Sequence, residues 1–237
     1  MVDNDPNHSD VEQKAFRRFI RHDKLLPECV VEQLWNEPDE LVDQSEMVKN
    51  GDRTTVVRVR HENRSWILKR YNLKNSMHSL LHAGMRTRAR RCWGFGRKLQ
   101  AAGINTPKPV AIVEQRFGPL RFRSFLMTEF VEGSLLADLA DHSTQGVVNR
   151  LSEEYAELWN QLEQLRIRHG DTKATNVIVA KDQSLWLIDL DAMMSFPIDW
   201  LFQHYQKRDW DRFMRNWKDA PVVAEAFEQA LEHRKAA

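Results

Sequence analysis

The sequence predicts an α+β fold of two lobes, a small β-rich N-terminal lobe followed by a mostly helical C-terminal lobe. Residues 46–71 and 109–131 contain β-branched, alternating segments separated by polar turns, which is typical of antiparallel hairpins. Residues 145–166 instead carry apolar side chains at spacings of three and four, which predicts a helix with one buried face. A chain of 237 residues has room for two such lobes around a sizeable core.

A polar motif in the second half narrows this fold class. His169, Asp171 and Asn176 have the spacing of the protein-kinase catalytic loop, H-R-D-x-x-x-x-N, with Gly170 where that template has Arg. The apolar run Leu185–Ile188 follows and ends at an acidic residue, Asp189, as the metal-binding strand of the template does. Two motifs in the right order predict a protein-kinase-like fold and a phosphotransferase.

The template assigns a chemical role to each polar residue of this region. Asp171 would accept the proton of an attacking hydroxyl, and Lys173 would reach the γ-phosphate of ATP as negative charge accumulates there. Asn176 and Asp189 supply the hard oxygen ligands that Mg²⁺ prefers. We expect His169 to brace the loop without acting as an acid or a base.

We expect three segments along the chain: an N-terminal extension over residues 1–40, the N-terminal lobe over 41–131 and the C-terminal lobe over 132–237. The first ten residues are polar and predicted to be disordered. Apolar residues then recur at helical spacing among basic ones, which predicts a short amphipathic helix (Phe16, Phe19 and Ile20, ending near Asp23). Such a helix is able to lie on anionic lipid, although packing against the domain is the favoured interpretation. Prolines 27 and 38 punctuate the connection that follows.

The composition of the chain restricts its expected cellular compartment and its expected binding partners. A formal net charge of +1 argues against a general polyelectrolyte binder. Two cysteines, Cys29 and Cys92, form no disulfide framework and suit a reducing compartment. The acidic, polar start is followed by no apolar signal region, and no window approaches 18 apolar residues. We therefore expect a cytoplasmic protein, at most peripheral to a membrane.

The first hairpin supplies the expected phosphate clamp. Its second strand contains Ile67-Leu68-Lys69, which is similar to the V-A-I-K strand of kinases, whose Lys holds the α- and β-phosphates. Taken alone, Lys69 would be read as a solvated strand residue; its position upstream of the catalytic motif favours the clamp. The preceding loop has one glycine, Gly51, where the template has three, so backbone coverage of the phosphates is expected to be less complete.

A strongly basic segment follows within a helix predicted over residues 74–103. Six cations are interleaved with two aromatic residues (Arg86, Arg88, Arg90, Arg91, Arg97 and Lys98, with Trp93 and Phe95). No Glu or Asp occurs between Asn63 and Val113, so the helix lacks the acidic partner that kinases give the strand Lys. The cations are either merely solvated or suited to an anionic substrate or membrane surface, two readings of equal weight. No nucleic-acid motif accompanies them, so we expect no nucleic-acid partner.

The second hairpin leads into the expected nucleotide-binding connector. Its last strand runs through Met127–Val131 and is released at Gly133, where a two-lobed kinase places its hinge. Backbone groups of Glu129 to Val131 are expected to bind adenine, which requires no particular side chain.

The C-terminal lobe has no A-P-E segment, and the chain after Asp191 is short. The platform that binds peptides in protein kinases is therefore missing, which excludes peptide substrates. A helical stretch then carries core aromatic residues (Phe202, Tyr205, Phe213, Met214 and Trp217), and the charged residues among them (Asp209, Asp211 and Arg212) are interpreted as solvated or structural.

These residues resemble a known family. His169–Asn176 with Ile188–Asp191, the strand Leu68–Tyr71, Ala102–Pro107 and Thr128–Gly133 are similar to bacterial lipopolysaccharide core kinases of the Kdo and heptose (WaaP-type) family. The resemblance covers roughly residues 46–217. It implies ATP-dependent phosphorylation of an inner-core sugar hydroxyl, heptose or Kdo, at the cytoplasmic face of the inner membrane. The acceptor would be lipopolysaccharide core oligosaccharide, which is anionic and membrane-borne. Many relatives have Arg-Glu-Trp where this chain has Arg91-Cys92-Trp93, a departure that affects the expected partner of Lys69.

Two other interpretations remain. A small-molecule kinase of the aminoglycoside or choline type shares the catalytic loop, but such enzymes bind cationic substrates with acidic clusters, whereas the charged segment here is basic. A pseudokinase serving as a binding module in envelope biosynthesis is favoured by the missing helix Glu. It is opposed by the intact Asp171, Lys173, Asn176 and Asp189.

Overall fold

The computed structural model describes residues 10–72, 86–140 and 144–236. The chain divides into two compact units. The first unit comprises the chain up to Arg97 together with Lys108–Phe130, and the second comprises Lys98–Pro107 together with the chain from Val131 onward. The predicted α+β fold class is confirmed, because a β-rich first unit is followed by a mostly helical second unit. The segment boundaries expected from the sequence stay predictions.

One antiparallel sheet of seven strands forms the first unit. In chain order the strands are β1 (Asp10–Lys14), β2 (Arg18–Asp23), β3 (Glu46–Asn50), β4 (Thr54–His61), β5 (Arg64–Tyr71), β6 (Pro109–Phe117) and β7 (Leu120–Glu129). Their spatial order is β1-β2-β6-β7-β5-β4-β3. The predicted hairpins are confirmed, with β4 paired to β5 and β6 paired to β7.

Alternation along these strands places one set of side chains in a buried cluster. Val57, Trp66, Leu68, Phe125 and Met127 point to the same core and are almost fully buried. Two short helices contribute to the cluster, α1 (Glu28–Asn36) and α2 (Pro38–Gln44). Each large apolar side chain buried in this way stabilises the unit by about 1.5–3 kcal/mol, so the sheet and the two helices hold one another in place.

The amphipathic helix predicted to end at Asp23 is wrong. Arg18–Asp23 is the strand β2, which pairs with β1 on one side and with β6 on the other. Tertiary pairing outweighs the local helical spacing here, because the sheet satisfies the backbone of these residues and buries Ile20. The prolines expected to interrupt a linker instead begin helices: Pro27 is the N-cap of α1 and Pro38 is the first residue of α2, a position that suits proline.

Apart from Arg86, the basic segment lies on α3 (Arg88–Ala101). This helix is followed, as predicted, by Gly103, whose φ of 76° is in the left-handed region. The first part of the helix predicted over 74–103 lies largely outside the described residues. None of the helices in the described ranges is long and apolar enough to cross a membrane.

The second unit combines helices with two small sheets. The helices are α4 (Leu136–Ala140), α5 (Gln145–Gln164), α6 (Asp199–Met214) and α7 (Pro221–Ala236). The strands are β8 (Gly133–Leu135), β9 (Ile167–Arg168), β10 (Val177–Ala180), β11 (Leu185–Leu187) and β12 (Met194–Ser195). Antiparallel pairing joins them in the orders β11-β10-β8 and β12-β9. The helix predicted over 145–166 is confirmed, whereas α7 was not predicted.

Aromatic side chains form the core of this helical part. Tyr155 of α5 stacks on Phe213 of α6 with ring centroids 4.0 Å apart, and Phe227 of α7 meets Phe213 edge-on at 4.9 Å. Burial raises the pKa of the Tyr155 phenol. Because stacked and edge-on pairs add to the apolar area that is buried, these contacts fix α6 against α5 and α7.

Candidate active site

The segment 166–176 is a loop whose backbone conformation explains one departure from the kinase template. Gly170 has a φ of 82°, and a Cβ atom at this position would lie 2.5 Å from the carbonyl oxygen of Ala192. Both the left-handed conformation and the close backbone approach require glycine. The Arg of the template is therefore incompatible with the path that the chain follows here.

His169 ties this loop to the strand that precedes Asp189. Its Nε2 lies 3.0 Å from the carbonyl oxygen of Ile188, and the N–H of Asp171 donates to its Nδ1 at 3.4 Å. These partners require the neutral tautomer with the proton on Nε2. Burial lowers the pKa of this imidazole and outweighs the opposing effects of the Ile188 carbonyl and of nearby carboxylates. The contacts agree with a bracing role.

Asp209 of α6 is the main anchor of the loop. Its carboxylate is almost completely buried, accepts the N–H of Gly170 at 2.7 Å and pairs with Arg168 at 2.5 Å. Its carbonyl oxygen accepts the Thr172 hydroxyl at 2.5 Å. The interpretation of Asp209 as solvated or structural thus resolves to structural. The signal that was available is the recurrence of Asp209, Arg212 and Asn216 at helical spacing, since all three contact residues 168–172.

The carboxylate of Asp171 lies at the centre of the candidate site. Asn176 donates its amide N–H groups to the Asp171 carbonyl at 2.8 Å and to Oδ2 at 3.2 Å. Two cations approach the other oxygen, Oδ1: Arg212 Nη2 lies at 2.7 Å and Lys173 Nζ at 3.8 Å. The structure therefore brings Asp171, Lys173 and Asn176 together, and it adds Arg212, which was interpreted from sequence as solvated or structural.

The two predicted metal ligands are linked through the backbone. The N–H of Ile188 donates to the carbonyl of Asn176 at 3.0 Å, and Asp189 follows in a left-handed turn with a φ of 58°. In the described part of the chain no group of three or more His, Cys, Asp and Glu side chains forms a metal centre. Two oxygen ligands with water and phosphate oxygens in the remaining positions are nevertheless the usual arrangement for Mg²⁺. Because the Asn176 amide nitrogen faces Asp171, its oxygen is the atom that fits a cation.

Lys69 lies in the first unit, on β5, where its ammonium group is 5.5 Å from the ring centroid of Tyr71. The Tyr71 hydroxyl donates to the Cys92 sulfur at 3.5 Å, and Cys92 is 2% exposed. Arg88 also lies over the Tyr71 ring, at 5.1 Å. Around Tyr71 the described residues thus include two cations and a thiol, in the region where the resemblance led us to expect a carboxylate.

Part of the basic segment is neutralised within the first unit. Arg90 pairs with Glu114 of β6, and Arg97 pairs with Asp10 of β1 at 2.7 Å. No acidic residue lies near this helix in the sequence, and the carboxylates that pair with its arginines therefore come from strands that are distant along the chain. Exposed positions remain at Arg86, Arg91 and Lys98, and these keep the anionic-surface interpretation open.

Some backbone groups of the residues predicted to bind adenine already form hydrogen bonds within the protein. The N–H of Glu129 donates to the carbonyl of Lys108 at 2.9 Å, and the N–H of Phe130 donates to Ser65 at 3.2 Å. A nucleotide base at Glu129 would use backbone groups other than this N–H. Val131 lies in the second unit and is half-buried.

The sequence is also similar to known proteins, and these similarities identify a family. The profile of the lipopolysaccharide kinase (Kdo/WaaP) family matches residues 32–229, well over half of the chain. A 3-deoxy-D-manno-octulosonic acid kinase of Photobacterium profundum is 30% identical over 94 residues, 39% of this chain and 39% of the relative. Two enzymes of that name from Vibrio vulnificus strains are 26% identical over 98 residues, 40% of this chain and 39% of each relative. The matches thus span about two fifths of the curated relatives.

Proposed function

Because the chain belongs to the lipopolysaccharide kinase (Kdo/WaaP) family, we propose that it transfers the γ-phosphoryl group of ATP to a sugar hydroxyl of the lipopolysaccharide core. The observation that carries this proposal is the Asp171 carboxylate, whose Oδ2 is held by Asn176 and whose Oδ1 faces the cations of Lys173 and Arg212. Phosphoryl transfer depends mainly on positioning and on charge stabilisation, and this group of residues provides for both.

Asp171 is the proposed general base. It accepts the proton of the acceptor hydroxyl as the oxygen attacks phosphorus, and the Asn176 amide keeps the carboxylate in one orientation during this step. Asp209 contributes indirectly, because its bond to the Gly170 N–H fixes the backbone next to the base.

Lys173 is the proposed electrostatic stabiliser. Its ammonium group is about half exposed and lies close to Asp171, so it can bind phosphate oxygens without first breaking a buried ion pair. A positive charge held at this place favours the transition state, in which negative charge spreads over the phosphoryl oxygens.

Asn176 and Asp189 would hold Mg²⁺, which when bound neutralises phosphate charge and orients the phosphate chain. In the first unit, Lys69 would bind the α- and β-phosphates, and the backbone at Glu129 would contact adenine. The same role is proposed for the backbone of Val131 in the second unit.

The proposed acceptor is an inner-core sugar, either Kdo or heptose, within an anionic and membrane-borne oligosaccharide. The curated relatives are Kdo kinases by name, which supports Kdo as the first acceptor to examine. We propose that the protein acts in the cytoplasm, in peripheral contact with the inner membrane. The exposed cations of the basic segment support that contact.

The test is phosphate transfer from ATP and Mg²⁺ to core lipopolysaccharide that ends in Kdo or in heptose, with Asp171→Ala beside the wild type. We expect labelled core sugar with the wild type alone, and the labelled position identifies the sugar. If both proteins bind ATP or core oligosaccharide but transfer equally little phosphate, the kinase proposal is wrong. That outcome would support a binding module, which the burial of Cys92 at the expected carboxylate position also favours.

A further inference from the structure

The two oxygens of the Asp171 carboxylate have different surroundings. Oδ2 accepts the Asn176 amide, and Oδ1 has no exposed surface although the side chain as a whole is 26% exposed. The groups nearest to Oδ1 are the guanidinium of Arg212 at 2.7 Å and the ammonium of Lys173 at 3.8 Å. Oδ1 therefore cannot accept a proton from a substrate while these two cations keep their positions.

The contact between Arg212 and Asp171 is an ion pair without a directed hydrogen bond. No N–H or O–H group of the described residues donates to Oδ1 in good geometry, in spite of the short distance to Nη2. The lone pairs of Oδ1 therefore lack a hydrogen-bond donor, a role that a substrate hydroxyl would fill. That hydroxyl has to lie about 2.6–3.2 Å from the oxygen, which is the place that Nη2 now occupies. Binding of an acceptor hydroxyl at Oδ1 and the present position of Arg212 therefore exclude each other.

Arg212 is able to leave without disturbing the loop. Its side chain is 40% exposed, and the loop is held independently by Asp209 of α6 and by Asn216 of the turn that follows α6, whose amide donates to the Thr172 carbonyl at 3.4 Å. Only the side chain has to move. A guanidinium that gives up one carboxylate loses charge pairing unless it gains another anion, and carboxylate and phosphate groups match its planar fork best.

We propose that Arg212 is a specificity-determining residue that moves from Asp171 to an anionic group of the acceptor, next to the hydroxyl that is phosphorylated. An anionic acceptor then uncovers Oδ1 of the base, whereas water or a neutral sugar leaves Oδ1 paired with Arg212. The proposal rests on the kinase function proposed above and adds the requirement that the acceptor carries a negative charge close to its reacting hydroxyl.

The experiment compares wild type, Arg212→Gln, Arg212→Lys and the control Arg208→Gln, an exposed arginine on the same helix. The acceptors are an oligosaccharide that ends in 3-deoxy-D-manno-octulosonic acid and the same oligosaccharide with that carboxylate converted to a carboxamide. Arg212→Gln is expected to lower kcat/KM for the carboxylate acceptor roughly 10- to 100-fold, the size of a lost charged hydrogen bond, and to raise kcat/KM for the carboxamide, because Oδ1 is then open to its hydroxyl. Arg212→Lys should restore part of the preference.

Two further readouts separate this role from a structural one. ATP hydrolysis without acceptor should rise in Arg212→Gln, because water then reaches Asp171, and the KM for ATP should stay unchanged. An unchanged ratio of carboxylate to carboxamide activity in Arg212→Gln would overturn the proposal. So would an effect on the KM for ATP alone, because the anion bound by Arg212 would then be a nucleotide phosphate. If the wild type transfers phosphate to neither acceptor, the proposed function itself fails and this proposal fails with it.

Discussion

Glu114 in the first unit and Asp171 in the second both lie next to cationic side chains, yet they are held in opposite ways. Glu114 is fully buried and accepts directed hydrogen bonds from the Thr87 hydroxyl at 2.6 Å and from Arg90 at 3.2 and 3.3 Å, with Arg116 beside them. Asp171 accepts one such side-chain bond, from Asn176, and faces its cations without directed bonds at Oδ1. A carboxylate whose oxygens all accept hydrogen bonds stabilises a fold, whereas one with an oxygen that accepts none is able to take a proton from a substrate.

The comparison also explains the position of the basic helix. Burial by itself raises the pKa of Glu114, but the hydrogen bonds from Arg90, Thr87 and Arg116 outweigh it, and the pKa is lowered. Thr87 and Arg90 stand at the start of α3, so the ionised Glu114 fixes that helix to the sheet. The carboxylate that pairs with this helix thus lies on the strand β6.

The largest expected effect is the loss of activity in Asp171→Asn. The amide cannot accept the proton, so phosphate transfer should fall about 10²- to 10⁴-fold, the typical range for a general base. The free energy of unfolding should change little, because Asp171 is only half-buried and has no buried charge that depends on it. Transfer kinetics and urea denaturation measure the two quantities. Asp211→Asn, at an exposed acid of α6, is the control, and a wild-type rate in Asp171→Asn would remove Asp171 from the mechanism.

Glu114→Gln should show the opposite pattern. The amide leaves the charges of Arg90, Arg116 and their neighbours uncompensated, and breaking a buried charge pair in this way costs about 3–5 kcal/mol of stability. Urea denaturation measures this loss. Glu46→Gln is the matched control, since the exposed pair of Glu46 with Arg60 contributes about 1 kcal/mol at most. Equal losses in the two variants would contradict a stabilising role of Glu114.

Gly170→Ala is expected to lower both the rate of phosphate transfer and the stability, each by less than the two substitutions above. A left-handed conformation costs a non-glycine residue about 1–2 kcal/mol, and the new Cβ atom would also meet the Ala192 carbonyl. We expect reduced stability together with reduced transfer, because the backbone next to Asp171 has to shift. Gly146→Ala is the control: a Cβ there has nothing within 4 Å, and alanine favours its helix. Similar stabilities of the two variants would show that the loop tolerates a side chain.

Acidification is expected to lower the free energy of unfolding more gradually than the substitutions above. The lowered pKa of His169 means that the unfolded chain takes up this proton first, so stability should decline as the pH falls below about 6.5. The lowered pKa of Glu114 contributes stability that is present above about pH 4.5 and is lost as the pH falls through the folded-state pKa. Urea midpoints measured from pH 7 to pH 3 test both. Glu114→Gln should keep the first decline and lack the Glu114 part of the second.

Sequence patterns predicted the parts of the molecule that depend on local spacing. The hairpins of residues 54–71 and 109–129 and the helix 145–164 followed from alternation and from helical spacing, and the loop at His169 followed from a motif. The strand Arg18–Asp23 was missed because its apolar residues also fit helical spacing and because one of its two partners, β6, lies far along the chain. No local pattern states which distant strand will satisfy a backbone.

The same limit applies to the candidate site. Asp171, Lys173 and Asn176 lie within six residues, so their meeting could be predicted. The contacts of Asp209 with Gly170 and of Arg212 with Asp171 join residues about forty positions apart. Their helical spacing marked a common face, but only the packing of α6 shows what that face binds.

The contacts that join α6 to residues 168–172 also affect the order in which the parts of the chain fold. Residues 168–172 cannot take their final shape until the intervening chain has closed and α6 has reached them, and closing such a loop costs entropy before any contact is made. Residues 168–172 are therefore among the parts that depend on distant contacts, although they are neighbours in sequence. Regain of transfer activity during refolding should accordingly follow the formation of α6 and not precede it.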